Sequence, residues 1–210
     1  MSVNRKVLEN TIHIIEKPDW VSWEDIRLCL IEAHSENLEK GIMMLHTTLP
    51  ADKLEEIVTP NGCLLVALDG KKLVGTAAIL QKSSNSWYTS GPYAYLGFAG
   101  VIPAYKGRGI YKDLTLKREE YARQRGFSVL VFNTNEKNQR VQQVAKKNGF
   151  VYVDYKMSST RDHFDVYMAK WLTPIPFSLL HCRLRYLTSK VSAHFRKCAS
   201  DVRRLLAGRR

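Results

Sequence analysis

The 210-residue chain is 45% hydrophobic and 25% charged, an ordinary balance for a globular protein with one sizeable core and room for an appendage. Its formal net charge of +12 is unevenly placed: Trp171 to Arg210 holds nine Lys or Arg and one Asp, a net of +8, which leaves +4 for residues 1–170. No run reaches the ~18 apolar residues of a membrane span, and the start, MSVNRKVLENTIHII, has neither the apolar core nor the cleavage pattern of a signal peptide. Cys29, Cys63, Cys182 and Cys198 show no C-x-x-C spacing and no nearby His cluster, so reduced thiols, a cytoplasmic setting and no metal are expected.

Thr11 to Lys17 alternates around Ile12 and Ile14 and predicts a first strand, broken by Pro18-Asp19. Ser22 followed by Asp25 has the form of a capping box, and Trp23, Ile26, Leu30 and His34 then recur at helical spacing. A second short helix is expected from Pro50, carrying Leu54, Ile57 and Val58 and stopping before Pro60. CLLVAL, Asp69-Gly70 and KKLVGTAAIL read as a β-hairpin. Gln81 to Pro92 reads as a polar loop containing Trp87 and Tyr88, and Tyr93 to Val101 as the central strand. Interior glycines weaken a strand, so Gly97 and Gly100 mark either a bulge or the close approach of a helix.

The stretch Leu96 to Gly109, LGFAGVIPAYKGRG, carries the chemistry. Gly107 and Gly109 flank one basic residue, and glycines here let backbone N–H groups close on a bulky anion. The helix predicted from Ile110 to Arg125 points its positive dipole end at the same place, and Lys106 and Arg108 add full charges. This is the chemistry of a pyrophosphate cradle. Beyond Gly126 come a strand, FSVLVFN, a helix over Lys137 to Asn148, and Gly149-Phe150. FVYVDYKMSS and HFDVYMAKW read as a final strand pair, with Thr160 to Asp162 in the turn.

The order strand, V-x-P, G-x-G-I, helix, strand, Asn, helix, G-F resembles the GCN5-related N-acetyltransferase (GNAT) superfamily, strongly from Leu64 to Trp171. The resemblance implies an α/β fold with a mixed, mostly antiparallel sheet, split near its middle and flanked by helices. It implies acetyl-CoA as co-substrate and an amine as acceptor. The cofactor loop falls on Ala104 to Ile110, giving Val101, Lys106, Gly107, Arg108, Gly109, Ile110 and Asn138 as expected cofactor-binding residues. Ala104 stands where the family has Arg or Gln, so one side-chain contact to the phosphates is missing, and Lys106 and Arg108 are the residues available to offset it.

Acyl transfer needs an acceptor amine that loses a proton, a carbonyl within ~3–3.5 Å of it, and a donor for the developing oxyanion. The backbone N–H of Gly100 or Val101 would serve as that donor. Tyr95 is the polar candidate on the central strand near the reaction site, set against a core aromatic with a satisfied hydroxyl. His34 and Glu36 are expected on a solvated helix face, with a place at the acceptor groove as the alternative, and Asp154 stands likewise. The family's usual acid Tyr, four residues before the G-F glycine, is Ala145 here; Tyr111 and Tyr152 are the possible replacements. The acceptor wall is expected from residues 38–48, where Glu39, Lys40 and His46 are the main charges, and from the loop carrying Trp87 and Tyr88. So few charges suit a small polar amine such as an amino sugar.

Pro174 and Pro176 break the chain after the catalytic part, which is expected to span 1–171. In the extension, 172–210, Leu180, Leu184, Leu187, Val191, Phe195, Cys198, Val202 and Leu205 recur every three or four residues, predicting a helix of about 30 residues with one apolar stripe. Arg183, Arg185, Lys190, Arg196, Lys197, Arg203 and Arg204 lie largely between those positions. Three fates would bury the stripe: packing on the catalytic domain, pairing in a homodimer, or peripheral contact with an anionic membrane. Two other function classes stay open, a binding module that holds acyl-CoA without turnover and a basic nucleic-acid-binding protein; the regular stripe argues against the latter.

Overall fold

The computed structural model describes residues 12–42, 47–158, 162–174 and 179–207, with side chains of the last helix described as far as Asp201. Thr11, His46, Thr160 and Pro176 of the sequence reading lie outside the described residues. Seven strands form a sheet in the order β1-β2-β3-β4-β5-β7-β6. They are β1 (Ile12–Glu16), β2 (Gly62–Asp69), β3 (Lys72–Ser86), β4 (Thr89–Val101), β5 (Val129–Asn135), β6 (Val151–Met157) and β7 (Phe164–Trp171). The helices are α1 (Trp23–Ala33), α2 (Ser35–Glu39), α3 (Ala51–Val58), α4 (Ile110–Gln124), α5 (Gln139–Lys147) and α6 (Leu179–Ala207). Strands β1–β2, β2–β3, β5–β7 and β6–β7 pair antiparallel, whereas β4 and β5 run parallel. This is the mixed, mostly antiparallel α/β sheet with flanking helices that the motif order implied. The parallel ladder covers two residue pairs, Ala94 with Leu130 and Tyr95 with Val131.

The described residues divide into two compact units. The first is built on 12–36, 47–80 and 97–121, and the second on the rest. In the first unit the capping box forms as read: the Asp25 N–H donates to Ser22 Oγ at 3.0 Å and the Ser22 N–H to the Asp25 carboxylate at 2.9 Å. The helix it opens buries Ile26, Cys29, Leu30 and Ala33 and packs against α3, which buries Leu54 and Val58. The core continues into β2 and β3 through Val66, Ala67, Val74, Ala77 and Ala78, all fully buried.

In the second unit Tyr88, Val129, Val131, Val153 and Ala169 form a core, with Trp87, Tyr93, Tyr167 and Trp171 packed around it. The expected polar loop over Gln81 to Pro92 is instead a hairpin: β3 runs on to Ser86 and β4 begins at Thr89. Side-chain polarity misled the sequence reading, because this hairpin is tied by polar groups. Thr89 Oγ1 donates to the Ser84 carbonyl at 3.0 Å and lies 2.6 Å from Ser86 Oγ.

Helix α6, 29 residues long, packs against β6. The face it uses is not the leucine stripe. Cys182 and Ala193 are buried, Tyr186 stacks on Tyr152 with centroids 4.8 Å apart, and His194 stacks on Phe164 at 4.7 Å and Tyr155 at 5.4 Å. Lys190 lies over the Tyr155 ring and Lys197 over the Phe164 ring. All four cysteines are free thiols.

Candidate active site

Strand β4 reaches Val101 through a local distortion. Phe98 is the one non-glycine among the described residues with a left-handed backbone, φ 46°. A bulky residue there costs about 1–2 kcal/mol. Two successive carbonyls around the kink are caught by side chains. Thr76 Oγ1 donates to the Phe98 carbonyl at 2.9 Å, and His34 Nε2 lies 3.0 Å from the Ala99 carbonyl. At about 1 kcal/mol net each, these bonds offset the strain. At Gly100 the structure favours close packing, and the distortion of the strand lies at Phe98. An added Cβ on Gly100 would come within 2.7 Å of Ala33 Cβ, so Gly100 admits the end of α1 while Phe98 carries the kink.

His34 is therefore not on a solvated face. It is buried, and burial holds its pKa below the ordinary histidine value, with the nearby Lys106 charge acting in the same direction. A neutral ring must carry its proton on Nε2 to donate to Ala99. Glu36 is ion-paired, its carboxylate 3.1 Å from Lys106 Nζ.

After Ile102, whose N–H donates to the Val74 carbonyl at 3.0 Å, a single 3₁₀ turn over Pro103–Tyr105 leads into the glycine loop. Gly107 and Gly109 both adopt left-handed φ, 82° and 83°, and nothing lies within 4 Å of where a Cβ would stand on either. The loop is thus an open concavity of backbone at the N-terminus of a 15-residue helix, with buried Ile110 anchoring the first turn. The loop is braced from behind. Arg108 stacks over Tyr105 at 4.5 Å and donates to the Ala104 carbonyl at 3.3 Å, and Tyr105 donates to Asp69 at 2.7 Å. These features fit the pyrophosphate of acetyl-CoA: open backbone donors, a helix N-terminus, and two cations within the loop.

Helix α4 also holds a group with no counterpart in the sequence reading. Arg118 is buried, with weak contacts to the Ala78 carbonyl at 3.5 Å and Thr115 Oγ1 at 3.3 Å, and its Nε has no partner. The hydroxyl of Tyr111 interacts with this guanidinium, so one of the two candidate replacement acids is already engaged.

The second unit holds Tyr95, Asn138 and Ala145. The Tyr95 hydroxyl is buried and donates to Asn133 Oδ1 at 2.6 Å, and burial pushes its pKa far up. Lys82 lies 3.9 Å over the same ring. The Asn133 amide in turn bonds to the Asp165 carboxylate, which burial raises above the usual aspartate range. His163 Nε2 stands 3.4 Å from Asp165, and its Nδ1 lies 2.6 Å from Asp162. Tyr95, Asn133, Asp165, His163 and Asp162 thus form one polar chain. The sequence reading found only its first member. The others sit on β5 and the β7 end of the last hairpin, where the only signal was a polar residue alternating with buried ones.

Asn138 caps α5 by position, without a side-chain capping bond; its amide donates to Thr134 Oγ1 at 3.2 Å. Ala145 is buried. Tyr152, the second candidate acid, donates to Gln142 Oε1 at 3.2 Å and is covered by Tyr186. Asp154 is paired with Lys156 at 2.8 Å. Among the described residues no cluster of His, Cys, Asp or Glu could hold a metal ion.

Comparison with known proteins agrees with this geometry. No curated protein matches the sequence. Solved structures do match the fold. An acetyltransferase from Streptococcus agalactiae aligns at TM-score 0.59 and 20% identity, over 77% of this chain and 98% of its own. The ribosomal-protein-S18-alanine N-acetyltransferase of Escherichia coli aligns at TM-score 0.58 and 13% identity, over 80% and 96%. A NatC complex bound to Gag peptide and CoA aligns at TM-score 0.60 and 15% identity, over 77% and 99%. Identities this low speak for the fold alone, but the model of the Acetyltransferase (GNAT) family matches residues 27–150, more than half of the sequence. With the kinked β4, the glycine loop at the head of α4 and that match together, the chain belongs to the GNAT family of acetyltransferases, whose co-substrate is acetyl-CoA.

Proposed function

We propose that this N-acetyltransferase moves the acetyl group of acetyl-CoA onto the amine of a small polar molecule, an amino sugar or a comparable acceptor. The observation that carries the reading is the polar chain Tyr95–Asn133–Asp165–His163. It offers Asp165, raised by burial, as a proton acceptor for an ammonium. Acetyl-CoA supplies an activated thioester carbonyl. The first unit's residues hold it: backbone N–H groups of Gly107 to Ile110 for the phosphates, and the N–H of Gly100 or Val101 for the carbonyl oxygen as it gains charge. Asp165, raised toward neutrality by burial, takes the proton from the acceptor ammonium, and His163 passes it on to solvent. The freed amine attacks the carbonyl carbon, the tetrahedral intermediate collapses with cleavage of the C–S bond, and the proton that the nitrogen sheds is taken up by the departing thiolate. Tyr95, held protonated by burial, keeps the Asn133 carbonyl turned toward itself, so that the Asn133 amide faces Asp165.

Ala145 favours one rival, an acyl-CoA-binding module without turnover, because the engaged hydroxyls of Tyr111 and Tyr152 leave no obvious acid in its place. A thiol with an ordinary pKa of ~8.5 leaves readily near neutral pH, and this makes turnover without that acid the stronger reading. Release of CoA thiol across a panel of amino sugars and small amines decides between them. Amine-dependent release supports the enzyme, whereas stabilisation by acetyl-CoA with no release from any amine supports the module.

A further inference from the structure

The apolar stripe of α6 faces outward. Leu180, Leu184, Leu187, Val191 and Phe195 are 65%, 55%, 47%, 71% and 75% exposed, while Cys182 and Ala193 on the packed side are 1% and 3% exposed. At about 100° per residue the two sets point in nearly opposite directions from the helix axis. An aligned apolar row this long is rare on an exposed helix and marks a surface made for contact. Leu187, Thr188, Val191, Ser192 and Phe195 line a shallow open depression along it.

The charges around the row say what it meets. Between Leu179 and Ala207 the helix has seven Lys or Arg, against Asp201 as its one acid. Arg183 borders the stripe on one side, Arg185 and Arg196 stand farther round on the other, and Lys190 and Lys197 lie over rings on the packed face. Two copies of this helix paired through their stripes would bring two strongly basic helices side by side. An anionic phospholipid surface complements both features at once: leucines and Phe195 enter the acyl boundary while the exposed Arg183, Arg185 and Arg196 meet phosphates. No helix among the described residues is long and apolar enough to cross a membrane, so contact along the surface is the geometry that fits. We propose that α6 is a membrane-docking helix that lies along an anionic bilayer with its Leu180–Phe195 stripe inserted. The proposal does not depend on which amine is acetylated.

The test uses the full chain and phosphatidylcholine vesicles with and without phosphatidylglycerol, followed by sedimentation. The protein is expected to pellet with the anionic vesicles, less so as salt rises, and to stay in solution with the neutral ones. The triple variant Leu184→Ser, Leu187→Ser, Val191→Ser should lose roughly tenfold or more in partitioning. Its melting temperature and its thermal shift with acetyl-CoA should stay those of the parent, since these side chains are largely exposed and lie on the face opposite the one packed on β6. Arg183→Glu with Arg196→Glu should weaken binding to a similar degree. Failure of the parent protein to pellet with anionic vesicles overturns the proposal, as does equal pelleting of the triple variant. A dimer in sedimentation velocity that the triple variant dissolves, without vesicle binding by the parent, assigns the stripe to a second copy instead.

Discussion

His34 Nε2 lies 3.0 Å from the carbonyl oxygen of Ala99, joining the end of α1 to β4. One residue earlier in β4, Thr76 holds the Phe98 carbonyl at the kink. Losing the imidazole removes the side-chain donor to the Ala99 carbonyl, so His34→Leu should cost about 1 kcal/mol or more and lower turnover as the kink relaxes. His34→Gln, which keeps a donor, should recover part of both. Chemical denaturation and steady-state rates measure the two effects.

The same residue gives a pH dependence. Its folded pKa is depressed below the ordinary 6.5, so the unfolded chain takes up a proton first as pH falls. His34 therefore subtracts stability as pH drops from about 6.5 toward its depressed folded value. His34→Gln should flatten that part of the stability curve. An unchanged slope in the variant would show that other groups govern the acid side.

Gly109 has φ 83° with open space where a Cβ would stand, so Gly109→Trp should leave the core packed yet fill the anion cradle. Acetyl-CoA at ~100 times its dissociation constant should stabilise the parent by about 2.7 kcal/mol. The variant should lose that shift. Thermal melts with and without millimolar acetyl-CoA compare the two directly.

Asp165→Asn keeps the hydrogen-bonding shape and removes the proposed proton acceptor. Its rate should fall by about 10²-fold or more, with KM for acetyl-CoA little changed. Tyr95→Phe should cost less, because it frees Asn133 rather than deleting the carboxylate. The pH profile separates a chemical role from a structural one. The parent's rate should rise with pH through a pKa above the usual aspartate range, and that limb should vanish in Asp165→Asn.

Ala145→Tyr reinstates the family's usual acid. If thiolate departure limits the rate, the variant should be faster at acidic pH and equal to the parent at alkaline pH. Ala145 is buried, so a melting curve must accompany the assay to separate crowding from chemistry.

Arg118 is a buried cation whose Nε has no partner. Replacing such a charge with an apolar side chain of similar length removes a desolvation cost, so Arg118→Met should raise stability by about 1–4 kcal/mol. A lower denaturation midpoint would mean that the contacts to Thr115 and Tyr111 outweigh that cost.

Local rules were legible in the sequence alone. The Ser22–Asp25 capping box, the Asp69-Gly70 hairpin turn, the glycine loop after Val101 and the helix that follows each depend on residues a few positions apart, so spacing and residue type suffice. Ile12–Glu16, Ile110–Gln124 and Leu179–Ala207 lie within a few residues of where periodicity put them. What spacing could not give was which distant groups meet. His34 looked like a solvated helix residue until Ala99, 65 positions away, supplied its partner. Asn133 and Asp165 became one chain with Tyr95 only when β4, β5 and β7 came side by side. The hairpin beyond Leu80 was missed because its ends are joined by backbone and hydroxyl groups, which leave no hydrophobic pattern. The stripe on α6 was plain in the sequence, yet its direction was not. Apolar periodicity fixes that a face exists, while the aromatic rings of Tyr152, Tyr155 and Phe164 decided that the opposite face, with Tyr186, His194 and two lysines, is the one that docks.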